Sequence, residues 1–206
     1  MPEPPQPRYR LPEWSGPPEN VLPGVVPLGL LLVNTGRVAV WVGEAAVYPT
    51  GLLLKVALHG REPAPRDIHT GTGAWRFGVQ FSDGRKATVF GLGLALGAQI
   101  GGRASTVTAL TRRADGSPPE APLLQPRGGG GGQTLWRQEY WLWPLPPPGD
   151  LLLACEWPNA GIEFSTATIS ADLLLEAAGR ASELWPAPDL PEWPGPGHAP
   201  GSPPGQ

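Results

Sequence analysis

Gly128-Gly129-Gly130-Gly131-Gly132 runs into Gln133-Thr134-Leu135-Trp136-Arg137-Gln138-Glu139-Tyr140-Trp141-Leu142-Trp143. Pro144-Leu145-Pro146-Pro147-Pro148-Gly149 follows, and after Asp150 comes Leu151-Leu152-Leu153-Ala154-Cys155-Glu156-Trp157. Glycines supply flexibility, aromatics suit a pleated half-buried surface, and prolines stiffen a connector. The stretch therefore reads as a flexible loop, an aromatic strand, a connector and a buried strand, which is an all-β succession. Side chains alternate along a strand. Trp136, Tyr140 and Leu142 share one face, and Arg137, Glu139, Trp141 and Trp143 share the other. Trp beside Arg marks interaction surfaces and sugar-stacking platforms. Arg137, Trp141 and Trp143 are therefore the candidate interaction surface. The plainer arrangement covers these rings with the N-terminal arm or the C-terminal helix, because Trp is usually well buried.

Outward from this stretch the strand signals continue. Leu28 to Val33 is a continuous apolar run and predicts a fully buried strand. After the turn signal Asn34-Thr35-Gly36, Val38, Val40 and Val42 alternate on one face, and Gly43 marks a bulge before Ala45 to Tyr48. Tyr48-Pro49-Thr50-Gly51 is a turn with proline at its second position. Leu52, Leu54, Val56 and Leu58 then alternate with Leu53, Lys55, Ala57 and His59, the clearest half-buried strand of the chain. Trp75, Phe77, Val79 and Phe81 form a further apolar face before Ser82-Asp83-Gly84. A three-residue hairpin loop with Gly84 in the left-handed region opposes Phe77 with Val89 and Val79 with Ala87, keeping apolar against apolar. Thr106 to Leu110 and Leu123-Leu124 are weaker strand signals, and Ile162 to Ile169 is a last strand. Ser170 predicts a helix N-cap with Asp172 in the first turn. Apolar residues at helical spacing carry that helix to Trp185, where Pro186 stops it.

The expected fold is an antiparallel β-sandwich of seven to nine strands with one C-terminal α-helix. Composition sets its limits. Glycine and proline number 29 each in 206 residues, yet 40 % of the chain is apolar and nine residues are Trp. The Pro/Gly signal points to disorder and the aromatics to a core. The two separate along the chain. The expected organisation is a Pro-rich arm over 1–19, one domain over 20–186 with a long Gly-rich loop at 91–132, and a disordered tail over 187–206.

Fifteen basic residues against eighteen acidic ones give a net charge of −3, with no basic cluster beyond pairs. A nucleic-acid partner is not expected, nor is a membrane, since the longest apolar run is short and broken by Pro23 and Pro27. Cys155 is the only cysteine. It excludes an internal disulfide and, with no apolar leader after Arg8 and Arg10, points to the cytoplasm.

No constellation carries chemistry. Gln133-Thr134 follows the glycine run where a phosphate loop needs Gly-Lys-Ser/Thr. The run reads as a mobile hairpin loop, or as room for another backbone to approach closely. Pro144 to Pro148 holds a Pro-x-x-Pro spacing but suffices as a connector. His59, Asp67 and His69 are the only candidate metal or catalytic group, but Asp-x-His in a loop is common by chance, zinc needs three or four ligands, and the third His, His198, lies in the tail. Cys155 lies in phase with Leu153 and Trp157 and reads as an inert core residue. Glu156 and Glu163 have no fixed separation that would support glycosidase chemistry. No catalytic residue, cofactor or metal site is expected.

Several local motifs occur together: the Tyr48-Pro49-Thr50-Gly51 turn, Phe81-Ser82-Asp83-Gly84-Arg85, Pro126-Arg127 before the five glycines, Trp143-Pro144 to Gly149, and Cys155-Glu156-Trp157-Pro158 before Gly161-Ile162. The combination resembles a family of uncharacterised actinomycete proteins over most of 20–186. The resemblance implies domain limits and a source class, and brings no activity. The functional expectation is a non-enzymatic protein-interaction module with a protein partner. The alternative is a carbohydrate-binding sandwich that uses exposed Trp141 and Trp143.

Overall fold

A computed structural model describes residues 9–63, 75–90 and 121–193. Nine strands form two antiparallel sheets. The five-stranded sheet contains β2 (Gly24–Asn34), β3 (Val38–Val47), β4 (Leu52–Gly60), β7 (Leu123–Gly131) and β8 (Leu135–Trp143), in the order β2-β3-β4-β8-β7. The four-stranded sheet contains β5 (Arg76–Gln80), β6 (Lys86–Phe90), β9 (Asp150–Trp157) and β10 (Ile162–Ser170), in the order β10-β9-β5-β6. β10 lies against β2 and β6 against β7, so the two sheets stack edge over edge as a sandwich. A two-residue pair, β1 (Val21–Leu22) with β11 (Ser182–Glu183), one helix, α1 (Ala171–Ala178), and two 3-10 turns, Glu13–Ser15 and Pro158–Ala160, complete the regular structure among the described residues.

Alternation builds the core. Leu52, Leu54, Val56 and Leu58 of β4 are buried between the sheets and face Leu151, Leu153, Cys155 and Trp157 of β9, with Val40 and Val42 of β3 beside them. Trp75 anchors one end. Its ring stacks on Phe77 at 6.4 Å and meets the Trp157 ring edge-on at 6.1 Å, and its Nε1 donates to the Tyr140 hydroxyl at 3.1 Å. Phe77 stacks on Tyr140 at 4.8 Å. Burial pushes the Tyr140 phenol well above its ordinary range, so it stays protonated and its oxygen accepts the indole proton.

Local chemistry set several registers as expected. Gly84 has φ +88°, and the hairpin pairs Phe77 with Val89 and Val79 with Ala87. The Tyr48 N–H donates to the Gly51 carbonyl at 2.8 Å across the proline turn. The β3–β4 register slips between Val42 and Glu44, which makes Gly43 the bulge residue. The Ser170 hydroxyl caps α1, accepting from the Asp172 N–H at 3.2 Å.

Four expectations are corrected. The run Leu28 to Val33 is not fully buried: β2 is an edge strand, and Leu31 on its outer side is 54 % exposed. The glycines from Gly128 to Gly131 are not a loop but the second half of β7, paired with β8 past a bulge between Pro126 and Gly129. The helix stops at Ala178 instead of reaching Trp185. Gly179 follows it, and Ser182–Glu183 pair with Val21–Leu22, so strand pairing overrides the helical period. Leu184 and Trp185, which the period placed on a buried face, are exposed.

The domain limits also widen. Arg10 and Glu192 form a parallel bridge, with the Arg10 N–H on the Pro191 carbonyl at 2.8 Å and the Trp193 N–H on the Arg10 carbonyl at 3.0 Å. Arm residues from Arg10 and tail residues up to Trp193 thus belong to the folded unit. The weak strand signal at Thr106 to Leu110 lies outside the described residues, as does the tail beyond Trp193.

Candidate functional site

The outer face of the five-stranded sheet gathers the residues singled out by sequence. Registers across the strands order it into rows. One row is Val25–Ala46–Leu53–Trp141–Gln125, and another, two steps of the pleat away, is Leu31–Trp41–Ala57–Arg137–Gly130. Between them lie Pro27, Glu44, Lys55 and Glu139. Lys55 Nζ sits 2.7 Å from Glu44 Oε1, and this hydrogen bond raises the Lys55 pKa. Both side chains are largely solvated, so the pair adds little stability and mainly divides the face in two.

One half is covered by the chain itself. A single 3-10 turn, Glu13–Ser15, drops Trp14 onto Trp143, with ring centroids 5.9 Å apart. Trp141 is 0 % exposed, meets Tyr48 edge-on at 5.8 Å, and donates through Nε1 to the Glu13 carbonyl at 3.3 Å. Buried Gln125 donates through Nε2 to the Trp14 carbonyl at 2.8 Å, and Arg127 packs against Gly16, its pKa lowered by burial. The Pro-rich arm is thus the cover. Trp141 has no accessible ring face and so offers no surface for stacking on a sugar. Trp143 is half-buried under Trp14, and Arg137 alone of the three candidate residues is exposed.

The arm makes a local prediction. Trp14→Ala removes the ring that closes over Trp143 and leaves the core between the sheets intact. The loss is therefore capped by the free energy of docking the arm, about 1–2 kcal/mol. The Trp141 indole N–H should exchange with deuterium much faster in the variant, read in amide and indole NMR spectra. Unchanged protection would show that the arm does not depend on Trp14.

The other half of the face is open. Leu31 is exposed, Trp41 is half-buried, and His59 lies exposed beside it with ring centroids at 6.3 Å. Arg137 completes the row. Sequence reasoning missed Leu31 and Trp41, although the alternation that turned Val40 and Val42 inward necessarily turned Trp41 outward. The outer face of the four-stranded sheet differs in character. It presents Thr166 and Thr168 from β10 and the Arg76–Glu156 pair at 2.9 Å, with Phe164 of β10 exposed two residues before Thr166.

A cavity of about 500 Å³ opens at one end of the sandwich. The β2–β3 and β7–β8 hairpins and the residues after β4 wall one side, and the turn from β9 to β10 walls the other. Trp136 and Trp157 line its inner part, and Arg37, Arg61 and Glu62 line its outer part. His59 does not line it, and Asp67 and His69 lie outside the described residues.

The remaining sequence candidates take structural roles. Pro146 is buried, and the Pro148 carbonyl accepts from the Ser82 hydroxyl at 2.8 Å, so the Pro-x-x-Pro spacing is spent on a connector between strands. Cys155 is buried, which pushes its thiol up to about 12 and leaves no thiolate for chemistry near neutral pH. Glu156 pairs with Arg76, while Glu163 falls in the bulge between Ile162 and Ser165. Among the described residues no helix is long and apolar enough to cross a membrane. No protein-family model, curated protein or solved structure matches the chain.

Proposed function

We propose that this chain is a non-enzymatic protein-interaction module of the cytoplasm, and that it binds its partner through the open half of the five-stranded sheet. The observation that carries the reading is the row Leu31–Trp41–Ala57–Arg137, which places an exposed aliphatic beside an indole and, across the small buried Ala57 of the intervening strand, a guanidinium. Trp and Arg dominate the energetics of protein interfaces when they sit together in a desolvated centre. The same face already accepts a short 3-10 turn of this chain on its other half, through one buried Trp and two backbone carbonyls. A partner segment needs no different chemistry beside it. The single buried cysteine supports the compartment.

Photo-crosslinking from within the native host tests this. A benzoylphenylalanine placed at His59 should yield discrete adducts that disappear when Leu31→Asp is added. The same group at Thr166, on the outer face of the other sheet, should yield few. Equal adducts from both positions, or none from position 59, would remove the proposal.

A further inference from the structure

We infer that the groove beneath the arm is a peptide-binding site for the segment Leu-Pro-Glu-Trp-x-Gly-Pro. The tail carries a copy of this segment, and the tail of a second copy of the chain fills the groove when the arm lifts. The inference does not depend on the open half of the face.

The chain holds the segment twice. Leu11-Pro12-Glu13-Trp14-Ser15-Gly16-Pro17 recurs as Leu190-Pro191-Glu192-Trp193-Pro194-Gly195-Pro196, with one difference, Ser15 against Pro194. The arm copy shows what the groove recognises. The Trp14 ring lies edge-on to Trp143, the Glu13 and Trp14 carbonyls accept from Trp141 Nε1 and Gln125 Nε2, and Gly16 leaves the space that the Arg127 guanidinium occupies. The tail copy repeats each of these: a Trp, its own carbonyl and the one before it, and a glycine two positions on. Ser15, the position that differs, spends its N–H and its hydroxyl on the Pro12 carbonyl inside the turn, at 2.9 and 2.6 Å. Proline in its place has no N–H to close that turn and disfavours a helical conformation for the Trp before it. The tail copy is therefore the weaker ligand, and the arm holds the groove. The tail copy lies beside the arm, three residues out of step, with Glu192 opposite Arg10 where matching register would need Glu13. The backbone hydrogen bonds of Pro191 and Trp193 run to Arg10 of the arm. An arm that lifts draws its own tail copy away with it and leaves the groove to the tail of another chain.

The probe is a synthetic peptide covering Pro188 to Gly197. The receptor is the full chain with Trp14→Ala and Trp193→Ala, in which neither resident copy competes. It should bind the peptide saturably near one equivalent, and the Trp141 indole N–H should exchange more slowly. Trp193→Ala within the peptide should weaken binding at least about tenfold. A peptide covering Arg10 to Glu19 should bind about tenfold tighter, because its turn closes. The wild-type chain should bind the tail peptide about tenfold more weakly, because its arm occupies the groove. In analytical ultracentrifugation the Trp14→Ala chain should shift toward a dimer as its concentration rises, and Trp14→Ala/Trp193→Ala should not. The site is refuted by absence of saturable binding, by equal affinity of the wild-type and doubly substituted chains, or by indifference to the Trp of the peptide. A Trp14→Ala chain that stays monomeric at every concentration would overturn the role of the second copy. If Trp193→Ala then raised its affinity for the peptide, the tail would be filling its own groove.

Discussion

Trp75→Ala should destabilise the domain by about 4–5 kcal/mol, the upper end for truncating a buried aromatic. That corresponds to a fall in thermal midpoint of roughly 10–15 °C for a domain of this size. The ring is 1 % exposed and holds three partners at once: Phe77 by stacking, Trp157 by its edge, and the Tyr140 hydroxyl by its N–H. Those partners come from both sheets, β5 and β9 from one and β8 from the other. Removing the indole opens a void where the sheets meet, and collapse is limited because every lining residue sits on a strand with fixed register. Tyr140→Phe isolates the polar part. It deletes the acceptor and leaves the indole N–H buried, at a cost of about 1–2 kcal/mol. Urea unfolding of the two variants checks both figures. If Trp75→Ala fell within 1 kcal/mol of Tyr140→Phe, the ring would not be the link between sheets described above.

Periodicity made the sandwich legible. The twofold alternation of Leu52 to His59 matches the observed burial except at Ala57, which is buried on the outer side, and the Ser82-Asp83-Gly84 loop fixed its own register because only one pairing keeps Phe77 and Val79 opposite apolar residues. What failed was everything decided by distant pairing. The apolar period from Leu173 to Trp185 is a sound helix pattern, but Ser182–Glu183 are claimed by Val21–Leu22, some 160 residues earlier. No local signal carries that competition. The burial of Trp141 was hidden for a related reason. Alternation correctly placed Trp141 opposite the core, but whether that second face meets water depends on where Trp14 lands. Trp14 sits in a Pro-rich stretch whose composition resembles a disordered arm. The open half of the face, by contrast, was readable from alternation at Val40, Trp41 and Val42 once the neighbouring strands were known.

The glycine run is the point where composition misled most, and it makes the sharpest test. Successive glycines in β7 should respond to alanine with opposite signs. At Gly131 an added Cβ would fall on the Leu135 carbonyl oxygen and lie 2.7 Å from the Trp136 Cα. Both neighbours are backbone, held by the Gly131–Trp136 pairing and by the Gly132 N–H on the Leu135 carbonyl at 2.9 Å. Neither can give without opening the hairpin, so Gly131→Ala should cost about 2–3 kcal/mol. At Gly129 the Cβ would meet Gln138 Oε1 at 2.5 Å. That side chain is 1 % exposed, and its Nε2 donates to the carbonyls of Arg127, Gly128 and Glu139, which line the bulge. Displacing it unpairs buried groups, for a loss of about 1–2 kcal/mol. At Gly130 and Gly132 a Cβ meets nothing within 4 Å, and neither residue has positive φ. There alanine restricts the unfolded chain without strain and should stabilise by about 0.4–1 kcal/mol. Urea midpoints of the single variants decide the matter: equal effects at 130 and 131, of either sign, would mean that the run is a free loop and not a strand laid against β8.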